Sequence, residues 1–144
     1  MKDVNVSIQF TGKGWMEFKI NEFTARGSYL TDIPIDWLKA IKFSLENEVP
    51  FTLFMDEEGS EVVITAYYDH IIIYAIRDLM SIYTFEMNYK DFAIQLFNEF
   101  KKYKDSLYYW LPESSAYTEQ ELYERMKEIE FLFVGIELEI DCMG

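Results

Sequence analysis

Reactive side chains are scarce in this chain. It holds one cysteine, Cys142, and one histidine, His70. A single cysteine closes no internal disulfide, which fits a reducing compartment. One His with one Cys falls short of a zinc ligand set. Nucleophile–base catalysis needs a positioned base, most often histidine. Here the histidine stands in the turn-like stretch Tyr68-Asp69-His70, and no Gly-x-Ser-x-Gly elbow exists for it to serve. The expectation is therefore a protein that is not an enzyme, with no catalytic residue, cofactor or metal. With three prolines and six glycines, no low-complexity linker divides the chain, and no long-period repeat is present. No apolar run reaches the ~18 residues of a membrane span. The stretch Met1 to Asn5 lacks the apolar core of a signal peptide, so a cytoplasmic address without membrane attachment is expected.

Basic residues are few: 13 Lys plus Arg face 26 Asp plus Glu, a formal net charge of −13. Such a surface repels nucleic-acid phosphate and speeds encounter with basic partners. The competing reading is that acidity keeps an aromatic-rich chain soluble. What is abundant is apolar surface, since half of the 144 residues are hydrophobic and 18% are aromatic. A chain of this length and composition can offset its ordering entropy by burial, so a single folded domain over residues 1–144 is expected.

The stretch Ser60 to Met87 predicts three strands in succession. Val62, Ile64 and Ala66 alternate with Val63, Thr65 and Tyr67; Ile71 to Ile76 is almost wholly apolar; Ile82 to Met87 completes a meander. The continuous apolarity of Ile71 to Ile76 predicts a strand covered on both faces. Before it, Val4 to Phe10 alternates, Thr11-Gly12-Lys13-Gly14 turns, and Trp15 to Phe23 returns, which reads as a hairpin. The two glycines match a turn better than a phosphate loop, because the third glycine and the strand-to-helix context are missing. Thr31-Asp32-Ile33-Pro34 opens a helix whose stripe is Leu38, Ile41 and Leu45. After Val49-Pro50, Phe51 to Met55 is extended. Asp56-Glu57-Glu58-Gly59-Ser60-Glu61 reads as a solvated turn, lacking the spacing of a calcium loop.

Asn88 and Asp91 predict a helix start, and Ala93, Leu96, Phe97, Phe100 and Leu107 carry a helix of about twenty residues, the longest expected. A capping box, Thr118-Glu119-Gln120-Glu121, opens another with the stripe Leu122, Met126, Ile129 and Phe133. Ile136 to Asp141 alternates like an edge strand, although Gly135 equally suits a weak point in a continuing helix; the strand is preferred. The order ββαββββαα predicts an α+β fold, a largely antiparallel sheet of about six strands with helices on one face.

Acidic side chains beside exposed rings suit a binder of basic proteins. The candidate partner-binding residues are Tyr108, Tyr109, Trp110 and Glu113 at the end of the long helix, with Glu121, Glu124 and Glu128 on the next. The competing reading packs the three rings beneath the loop to Tyr117. Gly27-Ser28-Tyr29-Leu30-Thr31-Asp32-Ile33-Pro34 leading into Trp37-Leu38, the acidic turn Asp56-Glu57-Glu58-Gly59 and the strand-rich middle before Asn88 to Phe100 together give a layout that resembles small acidic bacterial proteins serving as immunity or accessory partners in toxin systems. The resemblance implies an inhibitor that docks on a toxin and carries over no functional residue. Two other readings stay open: a small-ligand module or enzyme with a pocket between sheet and helix, and a structural subunit that self-associates.

Overall fold

The computed structural model describes residues 3–112 and 114–143. Seven strands and four helices follow in the order β1 (Val6–Gly12), β2 (Trp15–Ile20), β3 (Phe23–Ser28), α1 (Ile33–Asn47), β4 (Phe51–Asp56), β5 (Glu61–Ala66), β6 (Ile71–Ile76), β7 (Met80–Phe85), α2 (Tyr89–Lys101), α3 (Lys104–Tyr108) and α4 (Glu119–Met143). The class is α+β, but the strands form two antiparallel sheets, β1-β2-β3 and β4-β5-β6-β7, rather than one sheet of six. The extra strand, β3, begins at Phe23, the last residue of the expected run from Trp15, and continues to Ser28. Asn21 takes φ +50°, a conformation asparagine tolerates, and Ile20 pairs directly with Phe23. Asn21 is held there by Asn5, whose carbonyl accepts the Asn21 amide at 3.1 Å and whose N–H donates to Asn21 Oδ1 at 2.9 Å.

The buried faces of both sheets meet α1 and α2 in one aromatic core. Phe18 of β2 lies edge-on to Trp37 of α1 at 5.9 Å and to Phe92 of α2 at 6.3 Å, and Phe51 of β4 stacks on Phe92 at 5.9 Å. Each such ring removes some 150–250 Å² from water, so these contacts join sheets and helices without any ladder between β3 and β4. Polar groups add the directional tie. Glu57, in the acidic turn after β4, accepts from Arg77 Nε at 2.9 Å and Nη2 at 2.8 Å, from Ser60 Oγ at 2.8 Å and from the Arg26 amide of β3 at 3.2 Å. Burial alone would push this carboxyl up; the bonds from Arg77, Ser60 and the Arg26 amide outweigh it and hold it below the ordinary range.

β6 is covered on one face only. Ile71, Ile73 and Ala75 are buried, whereas Ile72 and Tyr74 are half-buried and Ile76 is exposed. The outer apolar residues shelter one another instead: Phe54, Val63, Tyr74 and Ile82 stand side by side across β4, β5, β6 and β7.

The expected twenty-residue helix is two. α2 ends at Lys101, the Lys102 amide donates to both Glu99 and Phe100 carbonyls, and Tyr103 leaves helical geometry at φ −129°, ψ 38°. The kink turns Leu107, Tyr108 and Trp110 into the core. The tail is helical, not a strand, so α4 is the longest helix. Ile136 and Ile140 suit both periods, because residues four apart share a face in a strand as well as in a helix. Packing on α1 decides for the helix: Ile136 is buried, and Gly135 lets the Lys42 stem lie where a Cβ would collide.

α4 is locked by a buried arginine. Arg125 donates Nη1 and Nη2 to the two carboxylate oxygens of Asp32 at 2.6 and 3.0 Å and Nε to the Leu107 carbonyl at 2.9 Å. Asp32 also caps α1 by accepting from the Ile35 amide at 3.4 Å. One side chain therefore joins α4, the start of α1 and α3. Arg125→Met is expected to destabilise the fold by about 3 kcal/mol in urea unfolding, because a half-buried carboxylate and a carbonyl lose their donors; a loss within measurement error would show the pair to be dispensable.

Candidate functional site

The residues picked out at the α3 end separate by burial. The Tyr108 hydroxyl donates to Glu130 of α4, which Lys104 also pairs at 3.0 Å. Trp110 is 2% exposed; its indole N–H donates to the Thr31 carbonyl at 2.8 Å, and its own carbonyl accepts from the Tyr117 hydroxyl at 3.0 Å. Tyr108 and Trp110 are thus internal, Tyr108 held by Glu130 and Trp110 by Thr31 and Tyr117. Tyr109, 49% exposed, is the surface ring of the three. Glu113 lies outside the described residues.

Tyr109 borders a cleft of about 490 Å³ lined by Phe10, Gly12, Lys13, Gly14, Asp105, Ser106, Tyr109 and Trp110. The hairpin turn between β1 and β2 makes one wall. Gly14 is required there: it sits at φ +79°, and a side chain would press on the backbone at Leu111 and Pro112, 3.2 Å away. Phe10, edge-on to Trp110 at 5.8 Å, forms the floor. Lys13 and Asp105 give the rim one charge of each sign. Such a volume suits a small ligand, and its polar side chains are Lys13, Asp105, Ser106 and Tyr109. His70 stacks on Tyr67 at 4.9 Å with Asp69 beside its Nδ1, and Cys142 is exposed on the last turn of α4. Among the described residues no three His, Cys, Asp or Glu side chains gather as a metal site requires, and no helix is long and apolar enough to cross a membrane.

Glu121, Glu124 and Glu128 do come together, on one stripe of α4 at steps of three and four residues. None of them lines the Tyr109 cleft. Glu121 closes the capping box, accepting from the Thr118 amide at 2.9 Å while its own amide donates to Thr118 Oγ1 at 3.1 Å. Hydrogen bonds to its carboxyl, from the Thr118 amide first and the Thr118 side chain second, hold it below the ordinary range. Glu124 accepts from Gln120 at 2.7 Å, and Glu128 pairs with Lys39 at 3.2 Å across to α1. Continued at the same steps, the stripe passes through Phe131, Gly135 and Leu138, with Val134 on the next row. Phe131, Val134 and Leu138 are exposed. Residue-level reasoning misses this apolar half, because a strand drawn from Ile136 breaks the helical row; the signal was the unbroken three-and-four spacing through Gly135.

Comparison with protein-family models, with curated proteins and with solved structures finds no match to this chain.

Burial first, then the bond to Glu130 and its charge, push the Tyr108 hydroxyl up to about 12. A folded-state proton affinity above that of an ordinary tyrosine stabilises the fold fully below about pH 10, and the benefit disappears as pH rises through about 12. Tyr108→Phe is therefore expected to flatten the fall in thermal midpoint across that window, and an unchanged slope would mean that Tyr108 does not govern alkaline unfolding.

Proposed function

We propose that this chain is a non-catalytic binding module whose acidic surface engages a basic protein, in the manner of bacterial immunity proteins that dock on a toxin in the cytoplasm. The observation that carries the reading is the alignment of Glu121, Glu124 and Glu128 on one exposed stripe of a chain with net charge −13. Carboxylates in a row on a rigid helix concentrate negative potential and steer a cationic surface to one face. Tyr109 adds a rigid exposed ring at a separate place on the surface. The scarcity of bases and nucleophiles supports a task done by contact rather than by reaction.

A second reading is favoured by the Tyr109 cleft, whose apolar floor and paired rim charges fit a small zwitterionic or amphipathic ligand. Ligand-dependent thermal stabilisation, abolished by Tyr109→Ala, is the mark of that alternative.

The test of the first reading is association with a purified basic partner, taken first from the product of the adjacent gene. Glu124→Lys combined with Glu128→Lys is expected to slow association roughly tenfold at low salt, with little change in dissociation. Raising ionic strength until the Debye length falls to a few Å should slow wild type toward the variant rate. Binding indifferent to both salt and charge reversal counts against the reading.

A further inference from the structure

α4 is apolar on two opposite faces. One face buries Ile129, Leu132, Phe133 and Ile136 against the body of the fold. The other presents Phe131 at 67%, Val134 at 56% and Leu138 at 60% exposure. A helix with that pattern belongs inside a helical layer rather than at its surface. The Lys42 ammonium lies at one side of this ridge, 5.4 Å from the centre of the Phe131 ring. Carboxylates flank the ridge, Glu124 and Glu128 before it and Asp141 after it, while Lys127 stands on the ridge's own row four residues before Phe131.

The geometry points to a basic amphipathic helix of a partner protein as the occupant, its apolar stripe laid along Phe131, Val134 and Leu138 and its Lys or Arg residues reaching Glu124, Glu128 and Asp141. This rests on the reading of the chain as a binder of basic proteins, and adds where the partner docks and in what conformation. Two arguments select the occupant. The backbone of α4 is already hydrogen-bonded within the helix, so an added strand finds no open ladder here, whereas rows at three and four residues form ridges that fit the grooves of another helix. A second copy of the chain would set the same carboxylates against one another, on bodies that each carry −13. Charge and apolar area then divide the work: the glutamates raise the encounter rate, and the ridge lengthens the life of the complex.

The probes are two synthetic peptides of identical Leu and Lys composition, one with Leu at heptad spacing and one strictly alternating, so that only the first is amphipathic as a helix. Calorimetry against the wild-type protein is expected to show the heptad peptide binding at least about tenfold tighter. Val134→Ser with Leu138→Ser should lower that affinity about tenfold or more, while Met80→Ser with Ile82→Ser, on the equally exposed sheet face, should leave it unchanged. All four side chains are exposed, and circular dichroism checks that α4 stays helical. Equal binding of both peptides, insensitive to the α4 pair, overturns the helix-on-ridge inference while sparing the basic-partner reading. No binding of either peptide or of polylysine by wild type sinks that reading and the inference with it. A concentration-dependent dimer that the α4 pair abolishes overturns the inference in favour of self-association.

Discussion

Among the described residues Arg125 is the buried charged side chain, and the arrangement around it follows from the cost of that burial. A guanidinium taken from water is tolerated only when its donors find partners in good geometry. Asp32 supplies two acceptors and the Leu107 carbonyl a third, which requires the first turn of α1, the end of α3 and the first third of α4 to converge. The neighbouring bonds follow that convergence: Trp110 reaches the Thr31 carbonyl next to Asp32, and the Tyr117 ring lies 5.4 Å from the guanidinium carbon. Tyr108 and Trp110, two of the three rings picked out for a partner, are internal because this junction draws them in.

The acidic surplus divides into two populations. Asp32, Glu57, Glu99 and Glu130 are spent inside the fold. They cap α1, clamp the two sheets, accept from the Ile8 amide at the edge of β1, and hold α3 to α4. Glu99 and Gln95 cover the amides of the outer strand of the first sheet, a common way of blunting an edge. Among the described residues Glu121, Glu124 and Glu128 lie in line on α4. Counting residues does not separate the carboxylates that hold the fold from those on its surface; distances do.

Much of the fold was legible in local pattern. The meander β5-β6-β7, the Asp32 cap of α1, the Asn88 cap of α2 and the Thr118 capping box each depend on side chains within a few residues, where period and cap chemistry act directly. Less legible were features set at a distance. β3 was missed because the turn at Asn21 that ends β2 depends on Asn5, sixteen residues away. The break after Lys101 is invisible in a stripe that continues at helical spacing, since it exists to let Leu107 and Trp110 enter a core built by other elements. Of the candidate surface residues, the glutamates of α4 stand where helical periodicity put them, whereas of the three rings only Tyr109 is exposed, because exposure of an aromatic at a helix end depends on what lies opposite.

By itself the sequence determined the class of structure and the positions of most strands and caps, because each follows from residue type and short-range spacing. Tertiary structure alone decided that seven strands split into two sheets, that Tyr108 and Trp110 are internal, and that the segment after Gly135 is helical. Ile136-Glu137-Leu138-Glu139-Ile140 satisfies periods of both two and 3.6. The choice fell to burial against α1, a non-local energy that no window of the chain contains.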